Sequence, residues 1–385
     1  MPMRLTYNYD DIRPYHDDEV NQKIKELLAD EVFGRVLLVL YKDPAKVKQV
    51  KKDLAKVQTI EQLQLGFMHS MVKMIIDSTT DGVTCSGLDH LDKSKPYLFI
   101  SNHRDIILDS ALLNFLILEN GMNTTQIAIG DNLFVYEWIE HAVKLNRAFV
   151  VKRNIAAREL LEASQKLSQY IRSSITENNI SVWIAQREGR TKNGFDQTQV
   201  SLLKMLNMSN NSDYIKGFSE LNIVPISISY EIEPCGISKV NETIQRELKG
   251  FQKTSKDDFK SMAMGVLYPK GRVHFSFGRP IHSELSGFGS VARPNEFFQN
   301  LAKLIDEKIY SQFKLWANNY IAYDLLYRTN KYKKLYTFEE KLNYERLLHA
   351  AISDVNSDPA LVRERFLSLY ANPVTNAKSM VQSLV

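Results

Sequence analysis

One histidine in the chain has acids at a spacing that suits acid–base chemistry. His103 follows the short apolar run 97–101, with Asp105 two positions and Asp109 six positions later. A carboxylate beside an imidazole fixes its tautomer and stabilises the imidazolium, so the group suits a general base. The sequence has no Gly-x-Ser-x-Gly elbow, so we expect His103 to deprotonate a substrate hydroxyl rather than an enzyme serine. The alternative is an ordinary loop histidine with Asp105 capping the next helix.

A second group of candidate residues is basic and follows two later apolar runs. Guanidinium and ammonium groups that converge at strand ends form an anion site, above all for phosphate. Gly189 and Gly194 lie in the same segment, where glycine lets the backbone approach a ligand closely. The alternative interpretation is a solvated basic rim. The cations are Lys152, Arg153, Arg187, Arg190 and Lys192.

Short apolar runs alternate with longer amphipathic ones in the elements that must position these residues. Strands are predicted at Tyr97–Ser101, Thr125–Ile129, Ala148–Val151, Ile180–Ala185, Ile223–Ser229 and Val273–Phe277. Helices are predicted at Ile106–Leu118, Leu133–Leu145, Ala156–Ile175 and Gln197–Met208. The alternation predicts an α/β fold, a largely parallel sheet with helices on both faces. Ligands of such sheets bind beyond the carboxyl ends of the strands, where His103 and the cations fall.

Three regions are expected along the chain. An N-terminal helical segment covers 1–84, an α/β domain covers 85–290, and a C-terminal helical extension covers 291–385. The strands that end at residues 151 and 185 are expected to be neighbours, so that their cations share one site. Pro225 lies inside a predicted strand, which indicates an edge strand or a bulge.

The composition narrows the function classes. Of the 385 residues 44% are apolar and 24% charged, which excludes disorder over most of the length. A net charge of +4 gives no indication of nucleic-acid binding. Cys85 and Cys235 are too few for a disulfide framework or a cysteine metal site, which is typical of a reducing, cytosolic compartment. The first ten residues do not resemble a signal peptide, and no apolar run is long enough to span a membrane.

Four segments stand in a characteristic order: 102–109 with His103, 149–153, 188–190 and 224–226. In order and spacing they resemble the glycerolipid acyltransferase family, which includes the glycerol-phosphate and lysophosphatidate acyltransferases. The resemblance covers roughly residues 85–235. It implies that His103 is the catalytic base and Asp109 its acid partner.

The resemblance also implies roles for residues in the other three segments. Arg153 and Arg190 match positions that hold the phosphate of the acceptor, and Pro225 belongs to the block near the acyl chain. Glu188 and Gly189 shape the third turn.

Two departures from the family pattern leave alternatives open. Five residues rather than four separate His103 from Asp109, so either Asp109 or Asp105 orients the imidazole. Arg190 follows the glycine directly, where the family usually has one residue between them. Arg190 and Lys192 therefore compete for the phosphate role, with Lys152 beside them.

The implied reaction is O-acyl transfer in phospholipid biosynthesis. Acyl-CoA or acyl-carrier protein donates the acyl group, and the hydroxyl of glycerol-3-phosphate or 1-acyl-glycerol-3-phosphate attacks the thioester directly. No metal or nucleotide cofactor is implied. Two alternatives are another lipid acceptor, such as an amino-acid-derived lipid, and a non-catalytic lipid- or acyl-carrier-binding protein on the same fold.

A lipid acceptor lies in a bilayer, so the protein is expected to bind a membrane surface. We expect a bacterial protein that is associated peripherally with the inner face of the cytoplasmic membrane. Lysine and aromatic side chains suit that interface. They are concentrated in two stretches, the lysine run 42–56 and the tyrosine-rich stretch 316–336. The alternative is that these are solvated helices whose tyrosines pack on the core.

Overall fold

Seven strands form a single sheet in the computed structural model, which describes residues 7–153, 155–210, 213–250, 254–288 and 293–382. The strands are β1 (Val83–Ser86), β2 (Leu98–Ser101), β3 (Gln126–Gly130), β4 (Ala148–Val151), β5 (Val182–Ala185), β6 (Ile223–Tyr230) and β7 (Val273–Phe277). Their order is β1-β7-β6-β2-β5-β3-β4. Every neighbouring pair is parallel except β6 with β7. The predicted largely parallel sheet is confirmed.

Helices precede, connect and follow the strands. Before the sheet lie α1 (Asp17–Ala29), α2 (Glu31–Tyr41), α3 (Pro44–Leu54), the single turn α4 (Ile60–Gln62), a π-helical stretch Leu63–Met68 and α5 (His69–Thr79). Between strands lie α6 (Leu108–Glu119), α7 (Glu137–Leu145), α8 (Ala157–Thr176), α9 (Val200–Asn207), α10 (Tyr214–Ser219), α11 (Gly236–Lys249) and α12 (Ser255–Leu267). After the sheet come α13 (His282–Ser286), α14 (Pro294–Ser311), α15 (Ala317–Tyr327), α16 (Phe338–Asp354) and α17 (Pro359–Gln382). Short 3₁₀ turns occur at Leu88–His90, Asp131–Leu133 and Lys333–Leu335.

Both faces of the sheet are covered, because side chains alternate along each buried strand. In β2, Leu98 and Ile100 belong to one core with α8, α9 and α14, whereas Phe99 belongs to a second core with α5 and α6. The prediction of helices on both faces is therefore confirmed.

The strand β1 was not predicted. It is four residues long, and its sequence Val-Thr-Cys-Ser shows half-buried and exposed positions in alternation. So short and polar a run has no clear apolar signal. The sheet consequently begins at Val83, inside the segment predicted as N-terminal and helical.

The helices outside the sheet form two further cores. The helices α1 to α4 share one core with Leu145 of α7. The helices α11, α15, α16 and α17 share the other, whereas α14 packs on the sheet. The predicted boundary at 290/291 lies outside the described residues. Among the described helices, none combines the length and the apolar character needed to cross a bilayer.

Pro225 corrects one interpretation of the sequence. The sequence predicted an edge strand or a bulge at Pro225. The strand β6 lies between β2 and β7, so it is not an edge strand, and its register with β2 continues through Pro225 without a bulge. Its carbonyl oxygen accepts from the N–H of Gly278, one residue beyond the end of β7, at 2.9 Å. The missing N–H of Pro225 thus falls where the antiparallel pairing with β7 ends, so the sheet loses no interior hydrogen bond.

Candidate active site

The loop between β2 and α6 is fixed to two other parts of the sheet. The side chain of Asn102 donates to the carbonyl oxygen of Ile228 at 2.9 Å and accepts from its N–H at 2.7 Å. The carbonyl oxygen of His103 accepts from the N–H of Thr191 at 2.9 Å. The loop that carries the imidazole is therefore held against β6 and against the segment after β5.

The imidazole of His103 contacts a carboxylate that is itself held by several donors. Nδ1 of His103 lies 2.8 Å from Oδ2 of Asp109. That oxygen also accepts from the N–H groups of Arg104 at 2.6 Å and Asp105 at 3.0 Å. The hydroxyl of Tyr230 donates to Oδ1 at 2.8 Å. Since Asp109 occupies Nδ1, the nitrogen available to a substrate is Nε2.

The sequence left open whether Asp105 or Asp109 contacts the imidazole. In the structure Asp105 instead accepts hydrogen bonds from the backbone. Its Oδ1 accepts from the N–H groups of Ile107 at 2.9 Å and Leu108 at 2.8 Å, which caps the irregular turn before α6. Burial, together with the charge of Asp109, raises the pKa of Asp105. Its Oδ2 is buried and has no hydrogen-bond partner. The contact with the imidazole belongs to Asp109, and the extra residue between His103 and Asp109 lies in the capped turn.

A cleft of about 1470 Å³ lies at the carboxyl ends of the strands and has His103 in its wall. All five predicted cations line it as well: Lys152, Arg153, Arg187, Arg190 and Lys192. Glu188 and Gly189 line it beside them. The structure therefore brings the imidazole and the basic cluster to one cavity.

The sequence predicted that the basic residues follow two neighbouring strands, and this prediction is wrong. The strand β3 lies between β4 and β5. Nevertheless Nη1 of Arg153, after β4, reaches Oε1 of Glu188, after β5, at 2.6 Å. Gly130 at the end of β3 permits this crossing, because a Cβ there would lie 2.8 Å from Nε of Arg153.

Most of the predicted cations already have carboxylate partners. Arg153 is paired with Glu188, and Lys192 with Glu242. Lys152 is paired with Asp11, which also holds Lys166. Arg190 differs, because its side chain is buried and its Nη1 has no hydrogen-bond partner. An anion at Arg153, Lys152 or Lys192 would therefore compete with a carboxylate, whereas Arg190 has no such partner among its described contacts.

Three predicted site residues are not in the cleft wall. Asp105 and Asp109 are fully buried next to it, and Pro225 is buried in β6. The cleft also has an apolar side, which includes Ile129, Val150, Leu160, Leu202 and Met205.

Sequence reasoning missed several residues of the site. Tyr230 holds Asp109 from 121 positions away, and Asp11 comes from the N-terminal segment, where the carbonyl oxygen of Ile12 accepts from the N–H of Val150 in β4. Arg246 of α11 also lines the cleft. No local spacing marks these residues, since they reach the site from distant segments. Within the described ranges, no group of three or more His, Cys, Asp and Glu side chains is placed to hold a metal ion.

Comparison with known proteins finds similarity in the part of the chain that carries His103 and the basic cluster. Residues 82–229 match the model of the Acyltransferase family. Two glycerol-3-phosphate acyltransferases, from different strains of Pseudomonas putida, are each 24% identical to the chain over 279 and 278 residues. The matches cover 71% and 70% of this chain but 31% of each relative, so the chain spans less than a third of their length.

A solved structure, the 1-acyl-sn-glycerophosphate (LPA) acyltransferase PlsC from Thermotoga maritima, was also matched. It is 12% identical, with a TM-score of 0.35, and the match covers 75% of this chain and 94% of that one. The family match and the bacterial relatives confirm the predicted resemblance to glycerolipid acyltransferases. The region of the family match includes His103, Asp109 and all five cations.

Proposed function

We propose that this chain, whose residues 82–229 match the Acyltransferase family, is an O-acyltransferase of glycerolipid synthesis. It moves a fatty acyl group from acyl-CoA or acyl-carrier protein to the hydroxyl of glycerol-3-phosphate or 1-acyl-glycerol-3-phosphate. The observation that carries the proposal is the pair formed by His103 and Asp109, 2.8 Å apart, beside a cleft lined with cations.

The pair supports direct attack on the thioester. Asp109 holds the proton on Nδ1 of His103, so Nε2 accepts the proton of the acceptor hydroxyl as its oxygen bonds to the thioester carbonyl carbon. The tetrahedral intermediate then collapses, the carbon–sulfur bond breaks, and the imidazolium returns the proton to the leaving thiolate. General-base assistance of this kind contributes ~10²–10⁴-fold to the rate.

The phosphate of the acceptor is assigned to Arg190 in the first place. Its Nη1 is buried without a partner, and an unpaired buried donor is costly until an acceptor arrives. Arg153 contributes if its pair with Glu188 opens. Lys192 is the weaker candidate, because Glu242 already balances its charge. The apolar side of the cleft, with Leu160 and Leu202, accommodates the acyl chain.

A different lipid acceptor is the second candidate function. Besides the cations, the cleft wall contains the carboxylates of Glu159 and Glu162, which favour an acceptor that carries an ammonium group. An amino-acid-derived lipid fits that description. A non-catalytic binding protein is the less favoured alternative, since a ligand-binding role alone does not call for a histidine in contact with a buried carboxylate.

Purified protein incubated with labelled acyl-CoA or acyl-carrier protein and a panel of acceptors tests the proposal. We expect transfer to glycerol-3-phosphate or 1-acyl-glycerol-3-phosphate, and a fall of at least ~10²-fold in kcat for His103→Ala. His349→Ala is the matched control, since His349 is exposed on α16 outside the cleft. Equal turnover by His103→Ala and the control would remove His103 as the base, and transfer only to an amino-acid-derived lipid would favour the second candidate.

Peripheral membrane binding is part of the proposal. In the tyrosine-rich stretch Trp316 is buried, so that side chain packs on the core. Exposed apolar side chains are found at its end and just beyond, where Leu335 is 53% and Phe338 83% exposed beside the exposed Lys333 and Lys334. Such a combination suits an anionic lipid surface.

Phe338→Ser should reduce co-flotation with vesicles that contain phosphatidylglycerol, and unchanged flotation would exclude this surface. Lys46→Ser and Lys48→Ser test the lysine run of 42–56 in the same assay.

A further inference from the structure

Four charged side chains form a buried cluster around the residue that follows His103. They are Arg104, Asp196, Glu233 and Lys239, and each is less than a tenth exposed. Nη2 of Arg104 lies 2.7 Å from Asp196, and its Nη1 lies 3.2 Å from Glu233. The other oxygen of Glu233 lies 2.6 Å from Nζ of Lys239. Two cations and two carboxylates thus balance where an unpaired charge would be strongly unfavourable.

The cluster holds residue 104 by its backbone as well as by its side chain. Nζ of Lys239 donates to the carbonyl oxygen of Arg104 at 2.7 Å, and the N–H of Arg104 donates to Asp109 at 2.6 Å. The guanidinium carbon lies 5.2 Å from the centre of the Phe313 ring. Because Arg104 follows His103 directly, any shift of its backbone would also displace the imidazole from its hydrogen bond with Asp109.

Many of these contacts come from beyond the region of the family match. Glu233 lies in the loop after β6, Lys239 lies on α11, and Phe313 follows α14. The N–H of Glu233 donates to the hydroxyl of Tyr370 on α17 at 2.9 Å. The helices α11 and α17 pack in the same C-terminal core, so the cluster links that core to the loop of His103.

We propose that Arg104 and Lys239 are positioning residues for His103, and that Glu233 and Tyr370 make the C-terminal helices part of this support. The inference rests on the proposed function insofar as His103 is the base. The cluster keeps the loop at the distance from Asp109 that proton transfer requires. It does not touch the substrate, so its loss should lower kcat more than it raises KM.

The test uses the full chain with a charge-balanced double substitution, Lys239→Met with Glu233→Gln. This variant removes the bond to the Arg104 carbonyl while leaving the pair of Arg104 and Asp196 intact. The matched control is Arg172→Met with Glu220→Gln. Arg172 also pairs with a glutamate and donates to a backbone carbonyl, that of Gly217, but outside the cluster. Circular dichroism and thermal unfolding establish that each variant is folded.

Two readouts separate positioning from a structural role. The first is the kinetic split, for which we expect kcat to fall ~10–10²-fold with KM changed less than about threefold, as for a displacement near 1 Å. The second is independent of activity. In the proton NMR spectrum the Nδ1–H of His103, assigned by its absence in His103→Ala, should be present in the wild type and in the control and lost or broadened in the double variant.

Each outcome decides the matter. A folded double variant with wild-type kcat overturns the proposal, and so does a fall in kcat with the Nδ1–H signal unchanged. If the double variant does not fold, Tyr370→Phe replaces it, with a smaller fall in kcat and a weakened signal expected. Failure of both variants to fold means that the cluster serves the fold alone, and overturns the proposal. If the wild type transfers no acyl group to any acceptor, the proposed function fails while the NMR signal still tests the positioning.

Discussion

Gly265 offers a sharp test of how the loop of His103 is supported. The residue lies in α12, and a Cβ added there would stand 2.1 Å from Oδ2 of Asp105 and 2.9 Å from its Cγ. Ordinary contacts begin at 3.4 Å, so Gly265→Ala requires a displacement of about 1.3 Å. The carboxylate cannot simply rotate, because its other oxygen accepts from the N–H groups of Ile107 and Leu108.

The expected magnitude follows from two opposed effects. Alanine favours the helix by ~1 kcal/mol over glycine. Overpacking costs ~1–3 kcal/mol, and loss of the Asp105 cap costs a further ~0.5–2 kcal/mol. The steric clash should outweigh the gain in helix propensity, so we expect a net loss of ~0.5–4 kcal/mol in the free energy of unfolding. If the loop moves by about 1 Å, kcat should also fall ~10²-fold, since the imidazole is displaced from the reacting atoms.

Urea unfolding followed by circular dichroism measures the first effect, and acyl transfer under saturating substrate measures the second. Gly66→Ala is the matched control, because Gly66 lies in the helical stretch 63–68 with no atom within 4 Å of an added Cβ. That substitution should leave both quantities unchanged or raise the stability slightly. If Gly265→Ala behaves as the control does, α12 does not press on Asp105 and the reasoning is refuted.

Three further predictions concern single side chains. Tyr230→Phe removes a donor to the carboxylate of Asp109 and should cost ~1.5–3 kcal/mol in the free energy of unfolding, measured in urea; an unchanged midpoint would contradict the bond. Arg190→Met should raise KM for a phosphate-bearing acceptor at least ~10-fold with little change in KM for the donor, and equal KM values would rule out the phosphate role. Burial raises the pKa of Asp306 to about 7, so the folded state binds its proton more tightly than the unfolded chain does. The free energy of unfolding should therefore decrease as pH rises from 3.8 to about 7, by up to ~1.4 kcal/mol per pH unit, and Asp306→Asn should remove that part of the slope in urea titrations.

Local pattern was sufficient for the fold class and for the segments that carry the site. The short apolar run of a buried strand such as 148–151 and the apolar stripe of α8 depend on neighbouring residues alone, so both were predictable. In a parallel sheet the strands' carboxyl ends meet at one edge. That rule placed His103 and the cations in one region before any contact was known, and the family resemblance added their expected roles.

Contacts between distant segments were decided by the tertiary structure. Strand order is set by which faces pack together, so the position of β3 between β4 and β5 and the central place of Pro225 had no local signal. The choice of Asp109 over Asp105 depends on a turn whose shape is fixed by capping. The residues that hold Asp109 and the loop of His103 in place come from even farther along the chain. Tyr230, Glu233 and Lys239 reach the loop because β6 and α11 pack beside it. Periodicity records which face of an element is buried, but not which side chain of another element meets it there.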